Sequence, residues 1–152
     1  MTDTIYDALR ESHEIQRSLC RKLLRARHGD QRRDELFRQL RIELAAHAAA
    51  EERYLYAPIL MDDMGLNPSR HALSEHHDID ECVEALAGAS TDGGSWMARA
   101  KKLSEEVHHH LREEEQKFFQ TSGKILSDAQ KTRLAGQYRQ DYARMLRTLA
   151  DA

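Results

Sequence analysis

Apolar positions recur along this chain with the spacing of helices and not of strands. Ile5, Leu9, Ser12, Ile15, Leu19 and Leu23 share one face of a first segment, and Leu36, Phe37, Leu40, Leu44, His47, Glu51 and Leu55 share one of a second. A third segment carries Ala72, His76, Ile79, Val83 and Leu86; a fourth carries Trp96, Ala100, Leu103, Val107, Glu114 and Phe118, with His110 near its edge. The fifth, about 127–150, has Leu134, Tyr138, Met145 and Leu149. Four breaks divide them: Arg27-His28-Gly29-Asp30, the stretch 62–69 with Gly65 and Asn67-Pro68, the stretch 88–95 with Gly93-Gly94, and Thr121-Ser122-Gly123. Pro68 after Asn67, Ser95 before Trp96, and Ser127 with Gln130 mark helix starts, while Pro58 closes the second segment. Short connections place successive helices antiparallel. The pattern predicts an all-α protein of one domain, 1–152. It is an antiparallel up-down four-helix bundle over about 3–120, with an additional C-terminal helix over about 127–150 that docks on the bundle or on a second copy.

Polar residues interrupt these stripes, and they do so twice in the same way. His47-Ala-Ala-Ala-Glu51-Glu52, followed by Leu55-Tyr56, returns 63 residues later as His110-Leu-Arg-Glu-Glu114-Glu115, followed by Phe118-Phe119. A His and a Glu four apart lie one turn apart on one helix face. One such pair is an ordinary surface ion pair, but two copies at matching positions in apolar stripes are hard to reach by chance. An unpaired buried carboxylate costs several kcal/mol, so Glu51 and Glu114 call for a cation. Two pairs on two helices suit two metal ions inside the bundle.

Nine histidines in 152 residues is a high count, and orientation narrows it. His47 and Glu51 point near the centre of their stripe, and His110 is the member of the His108-His109-His110 triplet closest to the inner face. His13 is the one histidine of the first segment and stands about 80° from its stripe centre, which Ser12 occupies. On the third segment His76 points inward and His77 to the side, although His77 is read as the repeat counterpart of His13; orientation favours His76. His28, His71, His108 and His109 read as surface or loop residues. Four imidazoles and two carboxylates without thiolate suit iron, manganese or zinc. Tyr54, three residues after Glu51, falls on the same face as a further metal ligand, a hydrogen-bond donor, or a core tyrosine; its counterpart is Lys117.

Composition excludes several classes. A net charge of -3 gives no general attraction to nucleic acid or an anionic membrane. The N-terminus lacks the charge and apolar run of a signal peptide, and no segment approaches about 18 continuous apolar residues. Cys20 and Cys82 lack metal or redox spacing and read as reduced thiols. A cytoplasmic protein without nucleic-acid or membrane partners is expected.

With these residues in place, the chain resembles the hemerythrin-like, or HHE cation-binding, family over about residues 5–120. The shared features are one His on the first helix, His-x-x-x-Glu-Glu with Leu-Tyr-x-Pro on the second, Glu-His on the third, and His-x-x-x-Glu-Glu on the fourth. The resemblance implies a non-haem centre of two iron ions (Fe2+/Fe3+) with an oxo or hydroxo bridge. It carries ligand roles to His13, His47, Glu51, His76, His110 and Glu114. Two departures stand out: Ser12 occupies the position expected of the first histidine, and the third helix lacks the His-x-x-x-His of oxygen-carrying hemerythrins, having Ala72 and Leu73 four residues before His76 and His77. Four His, two bridging Glu and a bridging oxygen give about ten contacts where two octahedral ions take about twelve. Open positions resemble a centre that reacts with O2, peroxide or NO, with catalase-like turnover in oxidative or nitrosative stress, more than a reversible carrier. The alternative is an iron-sensing or metal-storage module without turnover, acting on a second copy or a protein partner through the C-terminal helix.

Overall fold

Capping residues fix where the helices begin. The Thr4 side chain accepts from the Asp7 amide while Asp7 accepts from the Thr4 amide, and α1 spans Ile5–Arg25. Gly29, in the left-handed region at φ 78°, turns the chain, and Asp30 then caps α2, Gln31–Glu51. Instead of stopping at Glu51, α2 runs through a π turn, Glu52–Tyr56, into a further α turn, Ala57–Leu60. α3 spans Leu66–Ala87. α4 spans Gly94–Glu113 and continues through a second π turn, Glu114–Phe118, into Phe119–Ile125. Ser127 and Gln130 form the expected capping box of α5, Asp128–Ala150. This computed structural model describes residues 2–89 and 94–152. The break expected at 88–95 falls partly on 90–93, outside the described residues.

α1 packs on α2, α3 on α4, and α1 on α4, giving the four-helix bundle the stripes predict. α5 lies across α1 and α2 of its own bundle. Two apolar cores fill the interior. One contains Leu19, Leu23, Leu40, Leu86, Trp96 and Leu103, and the other Ile5, Leu9, Leu55, Ile59, Phe118 and Tyr138. Between them lies a layer of buried histidines and glutamates.

Three local expectations are corrected. Pro58 does not end α2. It falls in the first turn after the π turn, where the pairing changes from five-residue to four-residue hydrogen bonds and a missing N–H is tolerated. Gly123 does not break the chain either; packing of Phe119 and Ser122 against the bundle, with Ser122 Oγ 2.8 Å from the Tyr6 hydroxyl, holds the helix to Ile125. Ile15 is 44% exposed, and His13 and Gln16 take the inner face of α1 instead. The turn between α2 and α3 needs Gly65, because a Cβ there would lie 2.2 Å from the Ile59 carbonyl oxygen.

Candidate metal centre

The buried polar layer is assembled from all four bundle helices. α1 supplies His13, α2 supplies His47 and Glu51, α3 supplies His76, and α4 supplies His110 and Glu114, all of them buried. The ligand atoms form two groups, each within 4.8 Å: His13, His47, Glu51 and Glu114 in one, and Glu51, His76 and His110 in the other. Glu51 belongs to both. Its Oε1 lies 3.3 Å from His47 Nε2 and 3.2 Å from His76 Nε2. Glu114 likewise faces His13 Nε2 at 3.2 Å with Oε1 and His110 Nε2 at 3.6 Å with Oε2. Two carboxylates therefore span two clusters of imidazole nitrogen.

Each imidazole is held from behind. His13 Nδ1 donates to Glu115 Oε2 at 2.8 Å, His76 Nδ1 to Glu52 Oε2 at 2.8 Å, and His110 Nδ1 to Glu75 Oε1 at 2.9 Å. His47 Nδ1 meets the Tyr138 hydroxyl at 2.7 Å, and that hydroxyl also meets Ser12 Oγ at 2.7 Å. Holding Nδ1 orients each ring so that Nε2 is the atom aimed inward, where its lone pair would serve a metal. The second glutamate of each Glu-Glu pair thus has a purpose: Glu52 and Glu115 orient the histidines of the odd-numbered helices.

The inward atoms want a cation. His13 Nε2, His47 Nε2, His110 Nε2, Glu51 Oε2 and Glu114 Oε1 are buried without a hydrogen-bond partner. Such orphans are rare in folded proteins and costly. Burial pushes the Glu114 carboxyl up, and repulsion from Glu51 adds to it; burial acts on Glu51 too, but His47 and the surrounding hydrogen bonds hold it well below the usual carboxylate range. Two buried carboxyl groups this close repel one another unless positive charge lies between them. A divalent cation would supply that charge, and the nitrogen and oxygen donors fit one.

Residues 4–121 match the model of the hemerythrin HHE cation-binding domain. The chain belongs to the hemerythrin HHE cation-binding family. A hemerythrin HHE domain-containing protein from Mycobacterium kansasii has the same fold, with a TM-score of 0.86 at 22% identity over 95% of this chain and 88% of that one. A protein from Nostoc named a DNA nickase is 27% identical over 135 residues, 89% of this chain. The chain spans only 38% of that relative's length. Membership of the hemerythrin family means metal binding, and the paired clusters fit a di-metal site.

The structure separates the remaining candidates. His76 is in the hemerythrin cluster, whereas the His77 side chain is 71% exposed and pairs with Glu81 at 2.8 Å. The offset of 63 that carries His47 to His110 also carries His13 to His76, so the expected His13–His77 correspondence is one residue out. Ser12 does not displace His13 from the interior. Both are buried, because α1 turns the 12–13 edge inward.

Tyr54 stays at the edge of the core that contains Leu55 and Phe118, partly buried, and the hydroxyl that reaches the cluster is that of Tyr56. It donates to Glu51 Oε1 at 2.8 Å, makes a very short bond with Glu114 Oε2, and lies 3.4 Å from His76 Nε2. On a regular α-helix Tyr56 would point about 140° away from Glu51. The π turn at Glu52–Tyr56 makes residues five apart near neighbours, and so brings Tyr56 under Glu51. The sequence signal was the paired Leu55-Tyr56 and Phe118-Phe119. At the counterpart position Phe119 stacks on His13, with ring centroids 5.9 Å apart. One half of the layer therefore has a phenol and the other a bare ring. Tyr138 was also missed as a contact, since it comes from α5, beyond the matched residues.

Proposed function

We propose that this chain holds two iron ions and reacts with hydrogen peroxide, dismuting two peroxides to two waters and O2, with O2 or NO as further ligands of the same centre. His13 and His47 would hold one ion, His76, His110 and the Tyr56 oxygen the other, and Glu51 and Glu114 both. Iron in such a site supplies electrons by cycling between Fe2+ and Fe3+. The observation that carries the reading is the space beside the ligands. A cavity of about 10 Å3 borders Gln16, Leu44, His47, His76, Ile79 and His110. That volume holds about one water-sized molecule, so the space directly beside these histidines suits the smallest ligands.

The chain's own groups have distinct tasks. Gln16 is buried and its Nε2 has no partner, so at the cavity wall it donates to an oxygen or nitrogen atom of the entering molecule. Leu44 and Ile79 keep bulk water out. Glu43, one turn from His47, accepts from the Tyr142 hydroxyl, and burial pushes its carboxyl up, which favours proton exchange near the centre. Burial and the two neighbouring carboxylates keep the proton on Tyr56; a bound cation would favour the phenolate, with the proton passing to a carboxylate or to water.

Peroxide-driven O2 release by the iron-loaded protein tests the reading. Loss of turnover in His47→Ala and Glu114→Ala, and a marked reduction in Gln16→Leu with iron still bound, are expected; normal turnover in both ligand variants would refute it. The storage or sensing alternative draws on the apolar face of α5, and here Tyr138 and Leu134 of that face are buried against the bundle. The nicking activity in the Nostoc relative's name belongs to a protein this chain covers by 38%, and a net charge of -3 gives DNA no electrostatic reason to bind.

A further inference from the structure

Three more His-x-x-x-Glu pairs stand outside the buried layer, and apart from His77 and Glu81 they meet one another. His71 and Glu75 lie one turn apart on α3, His109 and Glu113 one turn apart on α4, and the two pairs face each other across the helix–helix groove. His71 Nε2 is 2.8 Å from Glu113 Oε1 and 3.6 Å from Glu75 Oε2. His109 Nε2 is 3.0 Å from Glu113 Oε2 and 3.5 Å from Glu75 Oε2. Both imidazoles therefore meet both carboxylates. Tetrahedral ligands about 2.05 Å from a zinc-sized ion lie ~3.3 Å from one another, and the four distances bracket that value. One atom each from His71, Glu75 and Glu113 falls within 4.8 Å of the others, and His109, outside that group, would join it by rotating its exposed ring.

We propose that His71, Glu75, His109 and Glu113 form a third divalent-cation site, at the outer mouth of a cavity that leads to the buried centre. The cavity, about 300 Å3, is bordered by His71, Glu75 and Glu113 outside and by His110 and Glu114 inside. Two imidazoles and two carboxylates make the nitrogen and oxygen set that takes Zn2+ or Fe2+, without the thiolate that would select copper(I). The arrangement differs from an ordinary ion-pair cluster in two ways. The carboxylates are largely shielded, with 14% and 23% of their side-chain surface exposed, while both imidazoles stay 58% exposed and free to swing onto an incoming ion. Glu75 is also shared: Oε2 faces the outer histidines while Oε1 accepts from His110 Nδ1. A cation captured outside is thus one carboxylate away from a ligand of the inner centre, and the site serves as the first stop for metal on its way in.

Equilibrium dialysis of the purified full chain against Zn2+ decides the matter, with metal counted per chain in wild type and in the double variant His71→Ala/His109→Ala. Both substituted side chains are exposed, and their loss leaves the cores intact. The expected result is one zinc fewer in the double variant, with the buried centre filled in both. Equal zinc counts would overturn the proposal. A second readout is the rate at which Fe2+ fills the buried centre, expected to fall severalfold in the double variant, and an unchanged rate would overturn the capture role. Neither measurement depends on whether the buried centre reacts with peroxide, so this proposal and the peroxide reading fail separately.

Discussion

Tyr138→Phe removes one oxygen atom from a helix outside the bundle, and its effect should reach the metal. The hydroxyl bridges His47 Nδ1 and Ser12 Oγ, both at 2.7 Å, and Tyr138 itself is 1% exposed. No solvent can replace it. Phenylalanine keeps the ring packing and leaves two buried polar groups unpaired, each worth roughly 1–3 kcal/mol. Taking about 1.5 kcal/mol for each gives a loss of about 3 kcal/mol, or about 9 °C in Tm for a chain of this size. Loss of the atom that orients His47 should also weaken metal binding by about 10–100-fold. Thermal unfolding of the metal-free protein measures the first effect and competition with a chromophoric chelator the second. Tyr54→Phe, at the partly buried position that helical periodicity would have chosen, serves as control and should change neither by much. If Tyr138→Phe matches the control in both assays, the hydroxyl does not hold His47 and α5 is only a packing element.

Three further outcomes follow from the same geometry. If the Tyr56 phenol ligates ferric iron, Tyr56→Phe should abolish the visible phenolate-to-iron absorption that Tyr54→Phe retains; identical spectra would refute the assignment. In the metal-free protein, burial opposes charge on His13 and His76, but Glu114 and Glu115 raise the first to about 9 and Glu51 and Glu52 raise the second to about 10. Both lie above the ordinary 6.5. Their contribution to stability is therefore complete below about pH 6.5 and disappears as pH rises through 9 to 10, so Tm in chelator should fall across that window. Binding metal requires deprotonated ligands, so the stabilisation that metal adds should grow over the same range, and parallel curves with and without metal would contradict this. Gly65→Ala should cost about 2 kcal/mol of stability and lower Tm in both forms, because the new Cβ meets the Ile59 carbonyl and not only a movable side chain; an unchanged Tm would show that the turn relaxes freely.

Much of the bundle was readable from periodicity because each helix keeps one continuous apolar face against its neighbours. Glu51, Glu114, His47 and His110 were readable for the same reason, as polar residues in places where only a compensated charge is tolerated. His13 was harder to place, since its position 80° from the stripe centre looks peripheral until α4 closes over it with Glu115. What escaped the sequence was of two kinds. Tyr56 was hidden by a local change of helical pitch that a constant 100° per residue cannot represent. Tyr138 was hidden by distance along the chain, because only tertiary packing brings α5 beside His47.

The two π turns bear on how this protein can tolerate changes in length. Each acts as one residue inserted into a helix, slipping the faces that follow, so that Tyr56 and Ile59 on α2 and Phe119 and Ser122 on α4 are interior in a phase that the preceding residues do not share. Deletion of one residue here would not shorten a loop; it would restore a regular helix and swing the phenol, its core neighbours and the Gly65 turn round toward solvent. Loops are ordinarily where a chain of this kind absorbs gains and losses of residues, yet at these two points a gain is already built in and cannot be given back. Relatives that keep a phenol five residues after the second-helix glutamate must therefore keep the extra residue as well, which makes that spacing a better guide than the tyrosine alone to which members of the family share this half of the centre.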